Sequence, residues 1–211
     1  MPPRAVPKIN CYVCSRPRGD GMEIYMNIMV VGVGGQGTLL TSRIIGKVAL
    51  GAGYDVKLSE VHGMAQRGGS VVTFVRFGKK VYEPVCEEGT VDVLISFERL
   101  EALRYAHFLK RDGVLIVNDT RIDPMTVVIG AKEYPEGIVE KLSREHKTYT
   151  IDGGKIAVEL GNSKVLNSVV LGLAAKYIGF TEEEWLSVLT ATVPQKTIEI
   201  NKEAFKRGYE A

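Results

Sequence analysis

The 211-residue sequence predicts an α/β fold: three-layer, Rossmann-like, with a mostly parallel sheet and a helical C-terminal part. Three observations lead there. Apolar runs at 26–31, 91–97 and 113–118 suit strands buried on both faces, as parallel strands between helices are. Segments of helical periodicity alternate with those runs. From Gly154 onward the spacing is helical only.

The elements follow in order. Met26 to Val31 is a buried strand, and the glycine run Gly32-Val33-Gly34-Gly35-Gln36-Gly37 leaves its end. Thr38 to Leu50 carries apolar residues at 40, 44, 45 and 48, one face of a helix that Gly51 and Gly53 end. Asp55 to Glu60 is a second strand, so strand, helix and strand read as the basic parallel crossover unit. Val71 to Phe77 is β-branched and aromatic, and a turn near Gly78-Lys79 leads into Lys80-Val81-Tyr82 as a hairpin. After the strand at 91–97 comes a helix with Leu100, Leu103 and His107 near one side, then the strand at 113–118. A short strand at 126–129, a helix near 136–145 and a strand at 147–151 continue the alternation. Helices are expected at about 154–160, 165–178, 182–191 and 195–207. Thr181 before Glu182, Glu183 and Glu184 is an N-cap with first-turn acids, which satisfy free N–H groups and complement the helix dipole.

Composition narrows the function classes. At 45% hydrophobic and 25% charged, the chain carries enough apolar material for a core. No apolar run approaches the roughly 20 residues of a membrane span. No apolar stretch follows Arg4 and Lys8, so no secretory signal is expected. A net charge of +2 is too small to argue for nucleic acid or an anionic membrane. The three cysteines, an odd set, point to a reducing, cytoplasmic setting without a disulfide framework. They are also too few for a four-cysteine iron–sulfur or zinc site.

Residues 1–25 read as an unstructured N-terminal extension, and residues 26–211 as a single domain. Four of the eight prolines (Pro2, Pro3, Pro7, Pro17) lie in the extension with Cys11 and Cys14. It holds Arg4, Lys8, Arg16 and Arg18 against Asp20 and Glu23, which leaves the remainder balanced at 23 bases and 23 acids. Cys11-x-x-Cys14 is half of a metal knuckle without its other half. Gly19-Asp20-Gly21 resembles the opening of a thiamine diphosphate motif, but the asparagine pair that completes such a motif is missing downstream.

Two loops carry the candidate chemistry. Gly32-x-Gly34-x-x-Gly37, between a strand and a helix, fits the dinucleotide fingerprint. Such glycines allow a tight turn and close approach of an anion to the free N–H groups of the helix start. Gly34, Gly35, Gln36 and Gly37 are therefore cofactor-binding candidates, and the Gln36 amide can donate to or accept from a ligand or partner. A glycine turn that only makes the crossover compact is the plain alternative. The second loop, Ser59-Glu60-Val61-His62-Gly63-Met64-Ala65-Gln66-Arg67-Gly68-Gly69-Ser70, is the sharper signal. It leaves the C-terminal end of a strand, the edge where open α/β sheets bind ligands. Glu60, His62, Met64, Gln66, Arg67 and Gly68 are candidates there. Glu60 suits a ribose hydroxyl or a pair with His62, and Arg67 an anion. A rigid interface loop is the alternative. No nucleophile accompanies His62, so no catalytic residue is assigned. Glu87 and Glu88 beside Cys86 raise its thiol pKa and argue against a reactive thiolate.

The pair Gly-Gly-Gln-Gly (34–37) and His-Gly-Met-Ala-Gln-Arg-Gly-Gly (62–69) resembles the gamma-type domain of 2-oxoacid:ferredoxin oxidoreductases, most of all in its indolepyruvate-oxidising branch. The resemblance continues from Asp92 to Arg104, from Asn167 to Ala174, through Val193-Pro194-Gln195-Lys196, and to Asn201 and Gly208-Tyr209. It covers nearly all of 26–211, and the first 25 residues depart from it. It implies the small subunit of a complex that decarboxylates aryl 2-oxo acids oxidatively, forms the acyl-coenzyme A and passes electrons to ferredoxin. Thiamine diphosphate and iron–sulfur clusters are implied in a large alpha subunit, with coenzyme A bound in the complex and no cofactor held by this chain alone. Met64 and Ala65 would then wall an aryl pocket, while Gln36, His62, Gln66 and Arg67 would meet phosphate, carboxylate or partner side chains. The competing expectations are a stand-alone NAD(P)-binding Rossmann oxidoreductase and a scaffold that binds no ligand.

Overall fold

The computed structural model describes residues 25–62 and 68–211. Residues 1–24 of the expected lead-in, with Cys11 and Cys14, and the loop residues Met64, Ala65, Gln66 and Arg67 lie outside the described residues.

A six-stranded sheet is built from β1 (Met26–Val33), β2 (Asp55–His62), β3 (Ser70–Gly78), β4 (Val91–Ser96), β5 (Leu109–Asn118) and β6 (Lys147–Ile151), in the order β2-β3-β1-β4-β5-β6. β1, β4, β5 and β6 run parallel, and β3 is antiparallel to both β1 and β2. The expected mostly parallel sheet is thus present, with one reversed strand inside it.

That strand corrects the local reading of the first crossover. β1, helix α1 (Thr38–Gly51) and β2 occur in the expected order, but β1 and β2 are not neighbours. β3 pairs with both over their whole lengths, from Met26 opposite Phe77 to Val33 opposite Ser70, and from Asp55 opposite Gly78 to His62 opposite Val71. β3 therefore does not form a hairpin with 80–82. The Val81 N–H donates instead to the Asp55 carboxylate at 2.9 Å. Arg76 holds the following segment by donating to the carbonyls of Glu83 and Val85 at 3.0 and 2.8 Å.

Helices cover both faces. α1, α5 (Gly153–Glu159), α6 (Leu166–Ile178), α7 (Glu182–Thr192) and α8 (Ile198–Glu210) pack on one core that includes Ile28, Val30, Ile44, Ile95, Val169, Trp185 and Phe205. α2 (Arg99–Tyr105) and α4 (Ile138–Glu145) cover the other, around Met29, Val31, Leu94, Ala102, Leu115, Ile138 and Leu142. Three layers result, as expected. The strand expected at 126–129 is a short helix, α3 (Met125–Val128), after Pro124. Its β-branched residues invited the strand reading, but β6 already occupies the free side of β5.

The C-terminal part is helical as its spacing predicts. Thr181 accepts from the Glu184 N–H, and the Glu184 carboxylate accepts from the Thr181 N–H at 2.7 Å, a reciprocal cap on α7. α6 and α8 touch backbone to backbone: a Cβ on Gly208 would lie 1.9 Å from the Val169 carbonyl oxygen, and one on Gly172 2.0 Å from that of Phe205.

Candidate functional site

The C-terminal ends of β1, β4, β5 and β6 share one edge, and the candidate loops gather there. The first loop turns tightly through Gly35 (φ 101°) and Gly37 (φ 87°), values that favour glycine. Gly37 is the N-cap of α1 and no side chain caps that helix, so its first-turn N–H groups face the loop. Gly35 is exposed, and a Cβ there would meet nothing within 4 Å. Gly37 has a close neighbour instead: its Cβ would lie 3.2 Å from that of Asn167, at the first turn of α6. Asn167 is 6% exposed, and its Oδ1 is buried with no partner among the described residues.

Gln36 sits differently from the ligand-facing reading. Its Oε1 accepts from the Val33 N–H at 2.7 Å, and its Nε2 donates to the Phe97 carbonyl at 2.9 Å. Both ends of the amide serve the fold. The carbonyl at Phe97 also accepts from Asn118 Nδ2 at 3.1 Å, and Asn118 Oδ1 accepts from the Gly153 N–H at 2.9 Å.

The second loop departs from β2 at His62 and returns at Gly68, which is exposed with φ 80°. Its exit is tied to the first loop, because the Gly34 N–H donates to the Gly69 carbonyl at 2.9 Å. Ser70 then donates to the buried carboxylate of Glu101, with the Tyr105 hydroxyl 3.2 Å from the Ser70 oxygen. Burial pushes the Glu101 carboxyl above its ordinary range. Glu60 is half-buried in β2, opposite Thr73.

The position of β2 weighs against a dinucleotide clamp. In the dinucleotide fold the acidic residue ends the strand beside β1. Here β3 lies between, so Glu60 is two strand spacings from β1, about 10 Å.

Several polar groups at this edge lie outside the two candidate loops. Glu98, 1% exposed, caps α2 by accepting from the Glu101 N–H at 2.9 Å. Its other oxygen accepts from the Tyr134 hydroxyl at 2.5 Å and the Ile122 N–H at 3.2 Å. Burial, then that bond, raises the Tyr134 pKa. Beside them lies a cleft of about 300 Å³ lined by Arg99, Asp119, Arg121, Tyr134 and Glu140. Its cations are paired: Arg99 with Asp119 at 2.5 Å and Arg121 with Asp123 at 2.6 Å. Arg121 also lies 4.4 Å from the Tyr134 ring centroid. Glu98 lies within Asp92–Arg104, and that stretch of family resemblance is the signal in the sequence that marks its neighbourhood.

The donor set of the described residues does not fit an iron–sulfur cluster. Among the described residues no three His, Cys, Asp or Glu side chains gather as metal ligands. Cys86 is buried, and desolvation pushes its thiol up to about 11, unfavourable for a thiolate ligand. No helix among the described residues is long and apolar enough to cross a membrane.

Comparison with known proteins agrees with this architecture. Residues 27–211 match the pyruvate ferredoxin/flavodoxin oxidoreductase family. The chain is 42% identical over 191 residues to indolepyruvate oxidoreductase subunit IorB of Thermococcus kodakarensis, covering 88% of this chain and 95% of that one. It is 41% identical to the subunit of the same name from Archaeoglobus fulgidus, covering 87% and 94%. Among solved structures, pyruvate oxidoreductase subunit PORC of Thermotoga maritima superposes with a TM-score of 0.67 at 25% identity, over 88% of this chain and 96% of that chain. The 2-oxoglutarate:ferredoxin oxidoreductase of Magnetococcus marinus shares the fold at 22% identity, with a TM-score of 0.68, and there the match spans 88% of this chain but 30% of that one. The chain belongs to the pyruvate ferredoxin/flavodoxin oxidoreductase family.

Proposed function

We propose that this chain is the small subunit of an indolepyruvate:ferredoxin oxidoreductase. In complex with a large subunit it serves the oxidative decarboxylation of an aryl 2-oxo acid to its acyl-coenzyme A, with electrons passing to ferredoxin. The observation that carries this reading is the near full-length identity of 42% to a subunit named for indolepyruvate oxidoreductase. In this reading the complex is cytoplasmic, residues 26–211 form the working domain and residues 1–25 an extension in front of it.

Thiamine diphosphate, when bound, supplies the electron sink for the carbanion left by departing CO₂. The described residues offer neither a cluster ligand set nor a reactive thiolate, which supports placing the redox groups in the large subunit. The part left to this chain is binding and orientation at the C-terminal sheet edge. Gly34, Gly35 and Gly37 let an anionic group approach the uncapped start of α1. From the second loop, Arg67 holds a phosphate or carboxylate, His62 and Gln66 add hydrogen bonds, and Met64 lines the aryl side, with Glu60 and Gly68 framing the loop. Such contacts place coenzyme A and substrate against the reacting centre, the usual gain from orientation.

The test is co-expression of the full chain with a large, cysteine-rich, thiamine-binding subunit. A stable complex should reduce a viologen dye with indolepyruvate and coenzyme A, while this chain by itself does not. Dye reduction by the purified chain without a partner would overturn the proposal.

A further inference from the structure

The amide of Gln36 is turned under the glycine loop, where it does two jobs at once. Oε1 accepts from the Val33 N–H at the end of β1, and Nε2 donates to the Phe97 carbonyl just beyond β4. The strand end makes room for it: a Cβ on Gly32 would lie 2.9 Å from Gln36 Oε1 and 3.0 Å from both Phe97 Cβ and Thr38 Cγ2. Gly32 is therefore a glycine because the Gln36 side chain occupies the space a larger residue would need. The Phe97 carbonyl takes its second hydrogen bond from Asn118, which reaches on to Gly153 after β6. A line of side-chain amides thus ties the ends of β1, β4, β5 and β6. The first loop in turn holds the exit of the second through the Gly34 to Gly69 bond.

We propose that Gln36 is a positioning residue for the reaction: its amide fixes the glycine loop, and through Gly34 the return of the second loop, in the arrangement that receives coenzyme A. The proposal rests on the functional reading above. Gln36 itself touches no ligand. Its role needs a side chain that accepts at one atom and donates at the other over one fixed length. Glutamate keeps the acceptor but turns a second oxygen toward the Phe97 carbonyl. Methionine keeps the length and loses both bonds.

The experiment compares wild-type chain with Gln36→Glu and Gln36→Met. Hydrogen exchange is measured on the full chain without ligand or partner, and steady-state kinetics on the complex with its large subunit. Loss of one net hydrogen bond corresponds to about a tenfold change in a local equilibrium. Exchange at Gly34 should therefore quicken about tenfold in both variants, and exchange at Val33 in Gln36→Met, with the interior of β1 unchanged. In the complex the KM for coenzyme A should rise about tenfold, while kcat at saturation stays within about twofold. A raised KM with unchanged exchange in the free chain would make Gln36 a direct ligand contact and overturn the proposal. Faster exchange with an unchanged KM would leave only a structural role and overturn it as well. Absence of coenzyme A-dependent turnover in the wild-type complex would instead overturn the functional reading, and the exchange result would still decide the tether.

Discussion

Replacing Gly208 by alanine puts a methyl group where the backbone of α6 already is. The new Cβ would lie 1.9 Å from the Val169 carbonyl oxygen, against about 3.3 Å for a close carbon–oxygen contact. The shortfall is about 1.4 Å, and a backbone carbonyl cannot rotate aside as a side chain can. α8 must move off α6, which loosens the packing around Ala204 and Phe205. Overpacking of this kind costs about 1–3 kcal/mol, and the rigid neighbour places Gly208→Ala near the upper end. Alanine returns about 1 kcal/mol through its better helix propensity, which leaves a net loss of about 2 kcal/mol. For a chain of 211 residues that lowers the melting temperature by about 4–8 °C. Gly46 in α1 is the control: its Cβ would sit 3.6 Å from Val56 Cγ1, an ordinary contact, so Gly46→Ala should raise the melting temperature by about 2–4 °C. Thermal unfolding followed by circular dichroism reads both. A Gly208→Ala chain that melts at or above wild type, or two variants that shift in the same direction, would refute the packing argument. The same contact bears on the site, because α6 carries Asn167 against Gly37.

Three further outcomes are expected. Arg67→Ala in the intact complex should raise the KM for coenzyme A or for the 2-oxo acid about tenfold or more, the scale of a charge-assisted hydrogen bond; loss of the complex with no change in either KM would favour a scaffold role for the loop. Burial raises the folded pKa of Glu101, so the folded state binds its proton more tightly than the unfolded chain. Its contribution to stability is therefore full below the ordinary value of 4.5 and is lost as pH rises through the raised folded value, and the melting temperature of wild type should fall relative to Glu101→Gln as pH rises from about 4 to 7; parallel profiles would contradict this. With Cys11 and Cys14 replaced by serine, Cys86 should resist a thiol-specific disulfide reagent at pH 8, where a thiol at about 11 is roughly one part in a thousand thiolate, and should react fully once the chain is unfolded; fast reaction of the native chain would show that it is not buried.

Much of the architecture is legible in the residues. The unbroken apolar runs of β1, β4 and β5 mark strands covered on both faces, and the glycines after β1 mark the edge where loops collect. The acids after Thr181 mark the start of α7. Pairing is harder to read, because it depends on contacts far apart along the chain. Ser70–Gly78 is plainly a strand, yet nothing local shows that it slides between β1 and β2, or that Val81 gives its N–H to Asp55. At 126–129 the β-branched residues favour a strand, but no free sheet edge waits there and Pro124 starts a helical turn instead. At the site, the glycine positions are readable from their spacing, whereas the direction of the Gln36 amide is decided by Phe97, 61 residues away. Glu98 and Asn167 fall in stretches of family resemblance and Tyr134 outside them, but each acquires its role only when strand ends converge.

In the proposed function this chain works only as part of a larger 2-oxoacid oxidoreductase. The most direct measurement is coenzyme A-dependent viologen reduction with indolepyruvate by this chain, by the large subunit, and by the two together. Turnover that appears, or rises at least about tenfold, only when both are present is the expected result. Equal turnover by the large subunit without this chain, or indolepyruvate oxidation by this chain by itself, would contradict it.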